Sequence, residues 1–266
     1  METVLITGAS SGIGVALADC FAADGARLVL VARRNERLQV VADDLRRKFG
    51  VEVHVCAVDL ADPAGVRELC QALEQRHLNV DVLVNNAGFG ILGPFQESDR
   101  QLQLKMVALN VAALTDLTHR LLPPMLARRR GGILNVSSVA AYPPGPWMAV
   151  YYATKAYVQS FSDALWYELK ATGIQVTTLS PGPVKTEFAS RSGVGSLGLL
   201  DRNAMSAPRV AQAGYRAYRA GRRTTTPGWG NWAGTILSRC LPRALIAPLV
   251  GRIQMRKRTG PNRKPD

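Results

Sequence analysis

Short apolar runs rich in β-branched residues alternate with longer segments of helical periodicity from the first residues of this chain to about position 180. Such runs predict strands, and apolar residues that recur at three- and four-residue spacing predict helices. The repeated order of strand, helix and strand predicts an α/β fold, a doubly wound parallel sheet with helices on both faces. The predicted strands are Val4–Thr7, Arg27–Ala32, Glu52–Val58, Val80–Val84, Gly132–Val136 and Gln175–Leu179, and the predicted helices lie near 12–24, 36–48, 63–76, 99–127 and 151–171.

The alternation breaks down after the sixth predicted strand. Pro181, Pro183 and the Gly- and Ser-rich residues 190–198 predict a long irregular segment, and long loops in compact domains usually carry function. We expect residues 186–206 to form a loop that closes over a substrate. The last predicted elements are a helix near 207–220 and a strand at Thr224–Thr226.

Length and composition are those of one globular domain. The 266 residues suffice for one sizeable α/β domain, predicted at 1–228, with residues 229–266 as its extension. Hydrophobic residues make up 47% and charged residues 20%, which excludes intrinsic disorder and collagen-like repeats. The four cysteines share no ligand spacing with the histidines, so neither a disulfide framework nor a metal site is predicted. A reducing cytoplasm is the expected location, and no apolar run reaches the roughly 18 residues that a spanning helix needs.

A glycine turn follows the first predicted strand. It reads Thr7-Gly8-Ala9-Ser10-Ser11-Gly12-Ile13-Gly14 and opens the first predicted helix. Glycines let the backbone approach a phosphate closely, and the free N–H groups and dipole at a helix start favour an anion. At this place in a Rossmann-type fold, the turn predicts that the pyrophosphate of a dinucleotide binds here. A turn that merely caps the helix is the alternative.

The end of the second predicted strand indicates which dinucleotide. An acidic residue at this place would bind the ribose 2′-hydroxyl of NAD(H), but the sequence reads Val31-Ala32-Arg33-Arg34. Two guanidinium groups can form charge-assisted bonds to a 2′-phosphate. The pattern therefore predicts NADP(H) in preference to NAD(H), with solvent-exposed arginines as the alternative interpretation.

Tyr151 and Lys155 are four residues apart at the start of a predicted helix, so their side chains share one face. Ser138 ends the preceding strand, at the edge of the sheet where ligands bind in this topology. A phenol with a pKa near 10 is a poor acid or base at neutral pH. An ammonium about 4 Å away, at an effective dielectric near 20, is worth about 4 kcal/mol or roughly three pKa units. We therefore expect Lys155 to lower the pKa of Tyr151 to near 7.

Together with further motifs that follow one another along the chain, these residues make the sequence similar to a known family. It resembles the short-chain dehydrogenase/reductases over about residues 3–228, nearest the branch that contains 3-oxoacyl and hydroxysteroid reductases. The motifs that carry the resemblance are Thr7-Gly8-x-x-x-Gly12-x-Gly14, Asp59, Asn85-Asn86-Ala87-Gly88, Asn110, Ser138, Tyr151-x-x-x-Lys155 and Pro181-Gly182-x-Val184-x-Thr186.

The resemblance implies a role for each matching residue. Tyr151 would be the general acid in carbonyl reduction and the base in alcohol oxidation, and Ser138 would bind the substrate oxygen. Lys155 would hold the nicotinamide ribose and tune Tyr151, while Asn110 would support a water-linked proton path. The residues implied in coenzyme binding are Gly8, Ser10, Ser11, Gly12, Ile13 and Gly14 of the glycine turn, together with Arg33, Arg34, Asp59, Leu60, Asn86, Ala87, Gly88, Tyr151, Lys155, Pro181, Gly182, Val184 and Thr186.

Alternative assignments remain at several of these positions. Tyr152 could be confused with Tyr151, although only Tyr151 has a lysine four residues on. Ser137 could replace Ser138, although neighbouring strand residues face opposite sides. Asn110 could instead satisfy a buried carbonyl, and Asp59 could cap local backbone.

The substrate pocket is expected between residues 89–95, residues 139–150 and the loop after Thr186. Five side chains would form an apolar wall that favours a lipophilic carbonyl: Phe89, Tyr142, Trp147, Met148 and Phe188. If these side chains fill the core instead, the substrate inference is lost.

The whole net charge of +13 lies in the C-terminal quarter. Residues 1–201 are balanced, whereas residues 202–266 carry 14 Lys and Arg against the single acid Asp266. From Trp229 onward the tail is basic and partly apolar, which is typical of segments that lie on an anionic membrane. The competing interpretations place it over the active site or at a subunit contact. Nucleic-acid binding is not expected, because no stacking motif accompanies the charge.

The sequence thus predicts an oxidoreductase that interconverts a small-molecule carbonyl and a secondary alcohol by hydride transfer with NADP(H). The resemblance implies a homodimer or homotetramer built from the helices at 99–127 and 151–171. A dinucleotide-binding regulatory protein without turnover is the main alternative, and a nucleotide-sugar epimerase on the same fold is disfavoured by the short C-terminal portion.

Overall fold

The computed structural model describes residues 1–188, 192 and 204–258 of the chain. The described strands are β1 (Thr3–Thr7), β2 (Arg27–Ala32), β3 (Val53–Ala57), β4 (Val82–Asn85), β5 (Gly131–Val136), β6 (Ile174–Leu179), β7 (Val184–Lys185), β8 (Met205–Ser206) and β9 (Thr224–Thr225). Seven of them form a parallel main sheet in the order β3-β2-β1-β4-β5-β6-β9, and β7 and β8 form a separate parallel pair. This order confirms the predicted doubly wound parallel fold.

The described helices occupy both faces of the sheet. They are α1 (Gly12–Ala23), α2 (Asn35–Phe49), α3 (Pro63–Gln75), α4 (Arg100–Val107), α5 (Leu114–Arg128), α6 (Ala149–Glu168), α7 (Ala207–Arg219), α8 (Trp229–Cys240) and α9 (Arg243–Arg258). Local sequence sets their ends. The Asp62 side chain accepts a hydrogen bond from the Ala64 amide at 2.8 Å ahead of α3, and Gly50, with φ of 66°, ends α2.

The two faces of the sheet carry two separate cores, because successive strand residues point to opposite sides. Val4 and Ile6 of β1 pack on the side that also receives Phe21 of α1. Leu5 packs on the other side, with Leu69 of α3 and Leu117 of α5. Burial on both faces explains why the strand segments read as nearly continuous apolar runs.

The predicted helix at 99–127 differs from the structure in one respect. A π-helical turn, Ala108–Ala113, separates α4 from α5. Such turns widen a helix by one residue, occur mostly as single turns and are frequent at functional sites. The turn carries Asn110, which is buried.

Within the described residues, no helix combines the length and apolar character needed to cross a membrane. The C-terminal extension, which the sequence left without assigned structure, forms α8 and α9. Of the loop predicted at residues 186–206, the structure describes residues 186–188, 192 and 204–206. Closure of that loop therefore lies outside what the structure describes.

Candidate active site

The carboxyl ends of the strands open on one groove of about 560 Å³. Parallel strands end at the same edge, so the residues that follow β1, β2, β3, β4, β5 and β6 meet there. Every residue predicted above for catalysis or coenzyme binding lines this groove except Gly14 and Asn110. The sequence positions that matched family motifs are thus brought together in space.

The glycine turn forms one wall of the groove. Gly8 and Gly12 have φ of +68° and +61°, a conformation that L residues rarely adopt. Gly14 lies behind the turn, where an added Cβ would come 2.4 Å from the Gly8 carbonyl oxygen. The Ser11 side chain makes no capping hydrogen bond, and the first turn of α1 holds no acidic residue. The amides at the start of α1 are therefore available to an anion, so the turn fits a pyrophosphate.

Thr7 ties the glycine turn to the end of β4. Its hydroxyl oxygen accepts hydrogen bonds from the amides of Asn86 at 3.0 Å and Ala87 at 2.9 Å. The Asn86 side chain donates in return to the Thr7 carbonyl at 2.8 Å. These bonds hold the two walls of the groove at a fixed separation.

The two arginines after β2 have different surroundings. Arg34 donates to the Ser10 hydroxyl at 3.1 Å and to the Glu187 carboxylate at 3.2 Å. Arg33 is largely exposed and lies 3.9 Å from Asp59. Asp59 also accepts from the Ala61 amide at 3.1 Å, as the capping interpretation predicted.

Arg37 and Glu187 were not singled out by the sequence. Arg37, one helical turn after Arg34, forms an ion pair with the same Glu187 carboxylate. Its spacing from Arg34 was the available signal, since residues three apart on a helix are neighbours. Glu187 gave no such signal, because it is distant in sequence from both arginines.

Tyr151, Ser138 and Lys155 lie together at the other end of the groove, and all three side chains are buried. The Tyr151 hydroxyl is hydrogen-bonded to Ser138. The Lys155 ammonium donates to the Val136 carbonyl at 2.8 Å and lies 5.9 Å from the centre of the Tyr151 ring. The Ser137 hydroxyl instead donates to the Lys155 carbonyl at 2.9 Å. Of the two serines, Ser138 is the one that meets the phenol.

The expected effect of Lys155 on Tyr151 is wrong in this structure. Burial raises the pKa of the Tyr151 phenol above its usual value, and the hydrogen bond to Ser138 only partly opposes this. Burial also lowers the pKa of Lys155, to about 8. Desolvation disfavours the charged form of both groups and outweighs the pairwise attraction that the sequence argument relied on.

Replacing Lys155 by methionine is therefore expected to stabilise the fold below pH 8, by about 1 to 2 kcal/mol after the lost hydrogen bond to Val136 is subtracted. The pKa of Lys155, about 8 in the folded chain, lies below its unfolded value. Between pH 8 and roughly 10.5 the unfolded chain binds more protons, so wild-type stability rises with pH. The difference in unfolding free energy between Lys155→Met and the wild type, measured by urea titration, should therefore become smaller between pH 8 and roughly 10.5. Lys105→Met, an exposed change in the same groove, serves as control.

Asn110 satisfies backbone groups from within the π-helical turn. Its side chain accepts from the Phe89 amide at 3.1 Å and donates to the Phe89 carbonyl at 2.9 Å and to Thr154 at 3.1 Å. This is the structural interpretation left open above. The proton path implied by the resemblance stays a prediction.

The apolar wall is only partly as predicted. Phe89, Met148 and Phe188 line the groove, whereas Tyr142 and Trp147 do not. The Tyr142 hydroxyl donates to Gln159 at 3.1 Å, and the Arg239 guanidinium lies 4.6 Å from its ring centre. The assignments of Tyr142 and Trp147 to the pocket were therefore wrong.

The sequence also missed one side of the pocket. Gln254 of α9 lines the groove and donates to the Tyr152 hydroxyl at 2.7 Å. The inner side of α9 thus packs over the active-site groove, one of the placements considered for the tail. Among the described residues, no group of acidic, cysteine or histidine side chains could hold a metal ion.

Comparison with known proteins gives a consistent family. Residues 2–194 match the protein-family model described as short chain dehydrogenase. Over 189 residues, 70% of this chain and 74% of the relative, the chain is 39% identical to sulfoacetaldehyde reductase 2 of Chromohalobacter salexigens. Over 189 residues, 70% of this chain and 75% of the relative, it is 37% identical to an NADP-dependent 3-hydroxy acid dehydrogenase of Salmonella typhi.

A solved structure extends the similarity beyond the matched family model. A short-chain dehydrogenase from Sphingobium yanoikuyae in complex with NADPH has a TM-score of 0.81 to this chain at 33% identity. That similarity covers 90% of this chain and 93% of the other. Helices α7, α8 and α9 lie beyond residue 194, where the family model ends.

Proposed function

We propose that this chain, which belongs to the short chain dehydrogenase family, prefers NADP(H) to NAD(H) and acts on a largely apolar ketone or secondary alcohol. As a member of the family it is an oxidoreductase that interconverts alcohols and carbonyls with a nicotinamide dinucleotide. One observation carries the proposal. A single groove has Tyr151, Ser138 and Lys155 at one end and the arginines after β2 at the other.

The coenzyme preference rests on charge at the β2 end of the groove. Arg34 is fixed on the glycine turn through Ser10, which places its guanidinium where it can bind a 2′-phosphate. No acidic residue follows β2 at the place where one would bind a ribose hydroxyl. The NADPH complex of one structural relative and the NADP dependence of one sequence relative support the same preference.

The catalytic roles that we propose use the geometry at the other end. Lys155 and the glycine turn would hold the nicotinamide coenzyme, which would supply hydride-transfer chemistry for carbonyl reduction or alcohol oxidation. Tyr151, whose raised pKa keeps it protonated at neutral pH, would donate its proton to the carbonyl oxygen. Ser138 would donate a hydrogen bond to that oxygen as negative charge develops on it. The Lys155 ammonium would stabilise the phenolate left behind and hold the nicotinamide ribose.

The substrate class rests on what surrounds Tyr151. The Phe188 ring lies 5.4 Å from the Tyr151 ring, centre to centre, and Met148, Phe89 and Ile91 pack around the same residue. Walls of this kind favour binding through apolar contact, with the few polar groups fixing orientation. A ketone with an apolar body fits this end of the groove.

The test is a panel of ketones with NADPH or NADH consumption as the readout. We expect reduction of 2-octanone and of cyclic ketones with kcat/KM at least tenfold higher with NADPH than with NADH. Hydroxyacetone, a small polar ketone, serves as the matched polar substrate and should be reduced less efficiently. Equal rates with both coenzymes would refute the coenzyme preference, and faster reduction of hydroxyacetone would refute the substrate class.

We further propose a homodimer or homotetramer formed through α4, α5 and α6. Exposed apolar side chains on α4 and α6 support this contact, among them Leu104, Val107, Tyr157 and Tyr167. A monomer mass by light scattering would contradict it.

An anionic membrane surface is the proposed partner of α8 and α9. On α9, Leu245, Leu249 and Ile253 form one exposed stripe at four-residue spacing, and on α8 Trp229 and Trp232 are exposed. No acidic residue occurs between positions 202 and 265, so basic and apolar side chains share this surface. That combination suits the interface of anionic lipids.

We therefore expect the protein to sediment with vesicles that contain phosphatidylserine and not with pure phosphatidylcholine vesicles, and to be released by high salt. The double variant Leu245→Glu, Leu249→Glu should lose this binding. Val40→Glu, which places one glutamate at an exposed apolar residue of α2, should retain it. If the wild type and both variants sediment equally, or if the wild type sediments with neither kind of vesicle, α8 and α9 do not bind an anionic membrane.

A further inference from the structure

A carboxylate lies at the arginine end of the coenzyme groove. The Glu187 side chain bridges Arg34, at 3.2 Å, and Arg37. Arg34 also donates to Ser10 of the glycine turn at 3.1 Å. Arg34, Ser10 and Glu187 all line the groove, so the carboxylate occupies an anion-binding position built from α2 and the turn before α1.

A 2′-phosphate placed on Arg34 would meet this carboxylate. Both anions need the same guanidinium donors, and two like charges within a few ångströms repel each other. The Glu187 side chain is 37% exposed and can therefore turn to solvent without leaving a buried charge. Arg37, which shares the carboxylate with Arg34, is then free to contact the phosphate.

We infer that Glu187 is an internal competitor for the 2′-phosphate of NADP(H), and that Arg37 completes the phosphate site with Arg34. This inference rests on the proposed coenzyme preference. Glu187 lowers the affinity for NADP(H) while leaving that for NAD(H) unchanged, so it sets how strongly the enzyme discriminates between them.

The position of Glu187 in the chain connects this contact to the catalytic end. The preceding residue, Thr186, packs on the glycine turn, where a Cβ added to Gly12 would lie 3.0 Å from the Thr186 methyl group. The following residue, Phe188, packs on Tyr151. Displacement of Glu187 by a phosphate releases one anchor of the segment that holds Phe188 against the catalytic tyrosine.

The test compares the dissociation constants of NADP⁺ and NAD⁺ for the wild type, Glu187→Gln and Glu36→Gln, by calorimetry at fixed ionic strength. Glu36 is an exposed residue in the first turn of α2. Glu36→Gln therefore removes one negative charge near the arginines but leaves the ion pairs of Glu187 intact. Partly exposed ion pairs are individually weak. We therefore expect Glu187→Gln to tighten NADP⁺ about three- to tenfold and to change NAD⁺ less than twofold, with Glu36→Gln like wild type.

Arg37→Ala provides a second, independent measurement. It should weaken NADP⁺ about threefold or more, and this loss should be larger in the Glu187→Gln background, where no carboxylate competes for the guanidinium. NADP⁺ binding that is unchanged or weaker in Glu187→Gln would overturn the inference. A wild type without preference for NADP⁺ would overturn the coenzyme proposal instead, because the inference concerns only the change in the ratio of the two constants.

Discussion

Tyr151→Phe is expected to lower kcat for ketone reduction about a thousandfold while the dissociation constant for NADPH changes less than threefold. Positioned proton transfer is worth roughly 10² to 10⁴ in rate, and this substitution removes the only proton that Tyr151 can give. The ring itself stays, with its contacts to Phe188 at 5.4 Å and Tyr152 at 6.1 Å between ring centres. The variant should therefore fold normally, and steady-state kinetics with calorimetry will separate lost chemistry from lost binding.

Tyr152→Phe is the matched control. It removes a hydroxyl from the neighbouring position, where the bond is to Gln254 rather than to Ser138. We expect kcat to fall less than tenfold. Activity of Tyr151→Phe within a few-fold of wild type would show that the assignment of the proton donor is wrong.

Arg34→Ala is expected to raise the dissociation constant for NADP(H) about 30-fold and to leave that for NAD(H) within threefold. A hydrogen bond to a charged group contributes about 1.5 to 3 kcal/mol, and 1.4 kcal/mol corresponds to a factor of ten. Arg34 is the arginine held on the glycine turn, through Ser10. NAD(H) carries no 2′-phosphate and so loses no such bond.

Two further variants bracket this result. Arg33→Ala should weaken NADP(H) about three- to tenfold, because Arg33 is more exposed and only loosely paired with Asp59. Arg47→Ala removes the same charge far along α2, where it pairs with Asp44, and should have no effect. A parallel loss of NAD(H) affinity in Arg34→Ala would mean that the guanidinium supports the turn and not the phosphate.

The placements in the fold that the sequence predicted correctly are those of local features. A buried strand, the glycine turn after it and the pair Tyr151 and Lys155 each lie within a few residues, and the parallel order of strands then brings their ends to one edge. The pocket wall involves distant contacts, and only part of it was predicted. Gln254 meets Tyr152 across 102 residues and Glu187 meets Arg34 across 153, distances over which periodicity carries no information.

The pKa of Tyr151 is a property that spacing along the sequence did not predict. The spacing of Tyr151 and Lys155 correctly placed them on one helix face, but the sequence could not give the degree of burial of either group. Desolvation acts on both and decides the direction of each shift. The π-helical turn at Asn110 was equally inaccessible, because one extra residue in a helical turn leaves the apolar pattern nearly unchanged.

The hydrogen bond between Gln254 and Tyr152 has a consequence for how the enzyme is made. Residues 8–188 supply nearly the whole dinucleotide groove, whereas one wall beside Tyr152 is contributed by α9. Domains fold as units, and this one needs residues beyond 188, because Val210, Ala211 and Tyr218 of α7 belong to the same buried core as Phe21 of α1. The nascent protein is therefore expected to gain its coenzyme groove and the wall from α9 together, after nearly the whole chain has been synthesised.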